Sequence, residues 1–157
     1  MPVKWVRPEG LHLTLKFLGD VDDTSEPSLR DALGQVGNDT RPVTVHIEGF
    51  GVFPDFQRPR IVWAGVAPDP ALELLQHRVE QVFAPLGFPT EARAFRPHIT
   101  LGRAGREARP RDFTGLEAAL TALTFAGTAV VADLDLMQST LQSGGAVYQV
   151  AHRERLS

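Results

Sequence analysis

Leucine or phenylalanine stands at positions 11, 13, 15 and 17, alternating with His12, Thr14 and Lys16. That two-residue period predicts a strand over 11–18 with one packed face and one polar face. Residues 3–6 read as a shorter strand before it, with Pro8-Glu9-Gly10 as the turn between the two. After a polar start at Thr24, the spacing of Leu29, Ala32, Leu33 and Val36 predicts a helix ending near Gly37. PVTVHIEGF (42–50) alternates as a strand, and RIVWAGV (60–66) reads as a more fully buried one. Asp69 followed by Pro70 is a cap and first-turn pair. It opens a helix whose apolar face is Leu72, Leu75, Val79, Val82, Phe83 and Leu86, closed by Gly87.

PHITLGR (97–103) repeats the first alternation, with Ile99 and Leu101 opposite His98 and Thr100. A weaker helix is expected from Asp112 to Leu123. FAGTAVVADLDLMQST (125–140) then reads as a single long strand, QSGGA (142–146) as a glycine hairpin turn, and VYQVAHRERL (147–156) as the returning partner. Hairpins outnumber crossovers, so the expected fold is α+β with antiparallel sheets rather than a doubly wound one.

The two alternating segments are copies of one pattern. His12-Leu13-Thr14-Leu15 and His98-Ile99-Thr100-Leu101 lie 86 residues apart, each followed by a helix and then a strand. Duplication of this kind predicts two pseudo-symmetric lobes around a central cleft, each an antiparallel sheet with helices outside, and the two His-x-Thr strands facing each other. The second copy has a strand and a long helix before it, and the first has only 11 residues. Residues 1–157 are therefore expected to form a single two-lobed domain, shortened at its N-terminus by roughly 27 residues if the lobes match.

Composition narrows the chemistry. The 157 residues suit one domain. The absence of cysteine removes disulfides, thiolate nucleophiles and Cys-built metal sites. With no long apolar run and no signal-peptide core at the start, a cytoplasmic protein without a membrane partner is expected. The net charge of −3 conceals an asymmetry. Six of the 14 arginines (Arg93, Arg96, Arg103, Arg106, Arg109 and Arg111) fall between 93 and 111 against Glu107 alone. This zone is formally +5 and leaves −8 for the rest, a local attraction for anions inside an acidic protein.

A strand that projects an imidazole and, two positions on, a hydroxyl places them side by side, roughly 6–7 Å apart. Two such strands surround one anion with two imidazoles and two hydroxyl donors. Free imidazole titrates near pH ~6.5, so one ring can serve as base while the other serves as acid. Thr14 and Thr100 supply donors to non-bridging oxygens. Arg103, five residues after His98, supplies a guanidinium fork suited to phosphate; the first copy has no counterpart.

With those residues in view, HLTLKFLG and RPHITLGR resemble the paired His-x-Thr motifs of the two-histidine phosphoesterase superfamily, in its LigT/ThpR branch of RNA 2′,3′-cyclic phosphodiesterases, also called 2′-5′ RNA ligases. The likeness extends to GVFPDFQRPRIVWAGV (51–66) and to LMQSTLQSGGAVYQV near the end. It implies a two-lobed fold and hydrolysis of ribose 2′,3′-cyclic phosphate ends to 2′-phosphates without metal or cofactor. His98 would be the base, His12 the acid, and Thr14, Thr100 and Arg103 substrate-binding residues; the reverse assignment of the histidines fits the symmetry equally. RNA with cyclic phosphate ends, tRNA fragments among them, is the implied partner, and a monomer is expected. Members usually begin with a strand and helix that precede the first motif, in line with the repeat.

Other residues carry weaker expectations. His46 and His77 read as solvated surface groups, and His152, beside Arg153 and Arg155, as part of an exposed edge rather than a peripheral RNA contact. Phe53, Phe56 and Trp63 are stacking candidates, with Trp63 better suited to a core. Lys16 shares the polar face of His12 and is a candidate for a phosphate contact or, equally, for a solvated surface group. Two rival functions remain at this level. One is a metal-dependent hydrolase using Asp20, Asp22 and Asp23, although no metal-ligand spacing is present. The other is a catalytically silent RNA-binding module of the same fold.

Overall fold

The computed structural model describes residues 1–142 and 145–157, of which 141, 142, 145 and 146 are followed through their backbone only. The fold is α+β, and the chain divides into two compact units. The first gathers Met1–Thr14, Val45–Pro68 and Arg96–Ala129; the second gathers Leu15–Thr44, Asp69–Phe95 and Val130–Ser157.

The sheet of the first unit has the order β1-β4-β3-β2-β5, built from β1 (Val3–Trp5), β2 (Val43–Phe53), β3 (Ile61–Val66), β4 (His98–Ala104) and β5 (Ala126–Val131). β1 with β4, β4 with β3, and β3 with β2 pair antiparallel. One face of this sheet is apolar: Val52 and Val62 are buried against Phe113 and Leu116, with Val3, Phe56 and Ala104 alongside. Phe113 comes from a 3-10 turn, Pro110–Phe113, and Leu116 from a short helix, α3 (Leu116–Ala122). The expected helix from Asp112 to Leu123 is therefore broken. Gly115 sits at φ 86°, the left-handed region glycine enters without a Cβ penalty, and it resets the chain direction between the two pieces.

Two further expectations are corrected. Residues 11–18 form no ladder; only Leu13 makes a bridge, with Ile99. Nor do β1 and this segment form a hairpin. Val3 to Trp5 pair with Ala104 to Gly102, Val6 N–H donates to the Leu101 carbonyl, and Leu13 then meets Ile99, so the whole run follows one edge of β4. Pro8 has no N–H to continue such a ladder, and the 3-10 turn Pro8–Gly10 lifts the chain off the edge before it returns. The long strand expected over 125–140 is two strands in two sheets, β5 and β6 (Asp133–Gln142), interrupted at Ala132, whose carbonyl accepts from Leu156 N–H.

In the second unit α1 (Glu26–Asp39) buries Leu29, Ala32, Leu33 and Val36, the expected stripe, and packs against α2 and β7. α2 (Pro70–Phe83) begins where the Asp69 carboxylate accepts from Ala71 and Leu72 N–H, and it buries Leu72, Leu75, Val79 and Phe83. A 3-10 turn follows and Gly87, at φ 97°, ends it. β6 and β7 (Gly145–Arg155) pair antiparallel over their whole length, whereas the hairpin turn expected at QSGGA falls on Ser143 and Gly144, outside the described residues. Among the described residues no helix is long and apolar enough to cross a membrane.

Candidate active site

All five residues singled out by the two motifs lie in the first unit. Antiparallel pairing of Leu13 with Ile99 sets their register: His12 lies across from Thr100 and Thr14 across from His98, all projecting to the face opposite Leu13 and Ile99. Directly opposed pairs of this kind have Cβ atoms about 5 Å apart, and the diagonal His12 and His98 about 7–8 Å. Side by side at one edge, rather than facing each other across a gap, the two motifs are related by a local twofold at the Leu13/Ile99 bridge.

Each histidine is held in the same way. His12 Nδ1 lies 2.7 Å from the Gly10 carbonyl and His98 Nδ1 2.7 Å from the Arg96 carbonyl. A carbonyl oxygen only accepts, so in both rings Nδ1 carries the hydrogen and Nε2 is the atom that gains or loses a proton. The anchoring is identical in the two copies, a carbonyl two residues back in each.

His98 is further fixed by aromatic rings. Phe53 meets it edge-on at 5.1 Å between centroids, and Trp63 stands 6.5 Å away and 5.2 Å from Phe53. Two of the three stacking candidates thus flank the imidazole, while Phe56 packs into the apolar cluster on the other face. The indole lies flat on Gly51, its cross-strand partner, where an added Cβ would overlap the ring. Gly51→Ala is therefore expected to push the indole out of place, destabilise the fold by ~1–3 kcal/mol and lower kcat more than a neutral surface change does. Thermal unfolding and steady-state kinetics check this; an unchanged kcat would show that the indole does not position His98.

The position of Arg103 depends on an irregularity. Five residues from His98, strict alternation would place it on the opposite face. Between β3 and β4, however, Val62 pairs with Gly102 and Trp63 with Thr100, so Leu101 is an extra residue in a bulge. The bulge re-aims the strand and returns Arg103, paired with Ile61, to the face of Trp63, Thr100 and His98. Arg103 is exposed, as are the other five arginines of the 93–111 stretch, and among the described residues none of the six guanidinium groups forms an ion pair with a carboxylate.

Lys16 is not part of this face. Its ammonium is 2.9 Å from Glu80 Oε1 and 2.8 Å from the Pro89 carbonyl, and both side chains of the ion pair are buried. Sequence reading missed Glu80 because it interrupts an otherwise apolar helix stripe and its partner lies 64 residues away. His46 and His77 are exposed as expected. His152 is not an exposed edge group: it is half-buried, with Nε2 2.7 Å from Glu154 Oε1. Asp22 accepts from Thr24 N–H, and among the described residues no three His, Asp or Glu side chains converge to hold a metal ion.

The fold and this face define an α+β protein that brings two histidines and two threonines together at one sheet edge. The family model described as the 2′-5′ RNA ligase superfamily matches residues 3–142, and the chain belongs to that family. A protein of Aquifex aeolicus named RNA 2′,3′-cyclic phosphodiesterase is 33% identical over 149 residues, covering 94% of this chain and 78% of that one. One of the same name from Archaeoglobus fulgidus is 33% identical over 147 residues, covering 94% and 80%. Among solved structures, TT0787 of Thermus thermophilus has a TM-score of 0.81 at 26% identity over 99% of this chain and 82% of that one. E. coli LigT complexed with 3′-AMP has a TM-score of 0.75 at 27% identity, covering 99% and 82%.

Proposed function

We propose that this protein is an RNA 2′,3′-cyclic phosphodiesterase that opens the ring to a 2′-phosphate with its own side chains alone. The observation that carries the reading is the antiparallel juxtaposition of the two motifs, with both histidines anchored through Nδ1 and both threonines on the same face. The names of the relatives supply the substrate. His98 Nε2 accepts a proton from water as the water oxygen bonds to phosphorus. The P–O3′ bond breaks, and His12 Nε2–H protonates the departing O3′. Thr14 and Thr100 hydroxyls donate to the non-bridging oxygens, and Arg103 neutralises the charge that builds there. With a 5′-hydroxyl in place of water, the same pair supports its attack on the cyclic phosphate with release of O3′, which forms a 2′-5′ junction; in the opposite direction the 3′-hydroxyl attacks that junction and the 5′-hydroxyl leaves.

The test is turnover of a short RNA with a 2′,3′-cyclic phosphate end, with the product identified as a 2′- or a 3′-phosphate. We expect the 2′-phosphate, at an unchanged rate in excess EDTA. A 3′-phosphate product would reverse the leaving group, and loss of the rate in EDTA would install a metal. No turnover of any cyclic-phosphate end would leave the site as an RNA-binding surface only.

A further inference from the structure

Across the sheet face that carries the site, the backbone register produces a row beyond the histidines: Phe53 opposite Ile61, Ile61 opposite Arg103, and Arg103 opposite Lys4. Lys4 stands in the middle of the three-residue edge strand β1, its neighbours Val3 and Trp5 turned to the other face, where they would meet a Cβ at Gly102. Lys4 therefore projects beside Arg103 on the face of His98 and Thr100. Like charges directly opposite on neighbouring strands repel. Both of these are exposed, and among the described residues no carboxylate lies within ion-pair distance of either. A cross-strand pair of cations left uncompensated within the protein is an arrangement that an anion completes.

The ladder fixes where that anion lies. From Trp63, opposite Thr100, to Ile61, opposite Arg103, is two residues along β3, about 7 Å. The cation pair is thus one step along the sheet from the four polar groups that bracket the reacting phosphate. Lys4 stands one strand spacing, about 5 Å, from Arg103, on the same edge of β4 as His12 and Thr14.

We propose that Lys4 binds the phosphodiester adjacent to the reacting cyclic phosphate, with Arg103 standing between the two phosphates, making the protein selective for oligonucleotide ends over mononucleotides. The inference rests on the cyclic phosphodiesterase reading and adds a second phosphate subsite to it. Lys4 is a substrate-binding residue in this role and takes no part in proton transfer.

Lys4→Ala and Lys4→Met are compared with the unsubstituted protein on a trinucleotide ending in a 2′,3′-cyclic phosphate and on a nucleoside 2′,3′-cyclic phosphate. Binding of the matching 2′-phosphate products is measured in parallel. We expect KM and product Kd for the trinucleotide to rise about five- to tenfold and the slope of log Kd against log salt to fall by about one. For the mononucleotide we expect changes below about twofold, and an unaltered kcat. Equal losses on the two substrates would place Lys4 at the reacting phosphate and overturn the proposal, as would no change on either. If the unsubstituted protein turns over neither substrate, the cyclic phosphodiesterase reading fails, and the two product affinities still decide the subsite.

Discussion

His98→Ala is expected to lower kcat by roughly 10²–10⁴-fold while leaving affinity for a 2′-phosphate-ended RNA within a few-fold. The imidazole contributes one proton-accepting atom, Nε2, because Nδ1 is committed to the Arg96 carbonyl. Thr14, Thr100 and Arg103, to which the proposed mechanism assigns binding, are untouched by the change. His12→Ala is expected to cost a similar factor, and the double variant little more than either alone, because the two histidines act in one proton-transfer cycle. Their pH profiles separate the roles. A base must be deprotonated to act, so the His98 variant loses the acidic limb of the rate profile. An acid must be protonated, so the His12 variant loses the basic limb. A His98→Ala enzyme that kept most of its rate would remove the mechanism, and exchanged limbs would exchange the two roles.

Much of this site is legible in the sequence because alternation, duplication and residue type agree on it. His12, Thr14, His98 and Thr100 sit at period-two positions in two copies, so the common face follows from chain geometry alone. Asp69-Pro70 and Gly87 delimit the second helix for reasons confined to a few neighbouring residues. Sequence patterns fail where a distant partner decides. Nothing local announces that Leu101 is a bulge residue, yet without it Arg103 would point into the apolar face. Pro8 and Gly10 look alike in a hairpin turn and in a lifted edge; pairing with β4, some ninety residues on, distinguishes the two. β5 and β6 share one β-rich composition and part at an alanine, because each belongs to a different sheet.

Lys16 gives the sharpest contrast between pattern and environment, and its replacement by alanine is expected to destabilise the protein by ~3–5 kcal/mol. By alternation it belongs with His12 and Thr14, which suggests a contact with substrate. In the folded chain its ammonium is buried against Glu80, which also accepts from Glu91 N–H at 2.8 Å, and it donates to the Pro89 carbonyl. Removing the ammonium leaves a buried carboxylate without its counter-charge and a carbonyl without its donor, both inside the second unit. The loss is therefore a loss of folding: denaturant midpoint falls, and kcat per folded molecule at low temperature stays near that of the unsubstituted protein. Lys16→Met with Glu80→Gln, which neutralises both charges at once, is expected to recover part of the stability because no unpaired charge remains. A Lys16→Ala protein of unchanged stability but with greatly weakened RNA binding would return Lys16 to the substrate face, and the structural role assigned to the ion pair would be withdrawn.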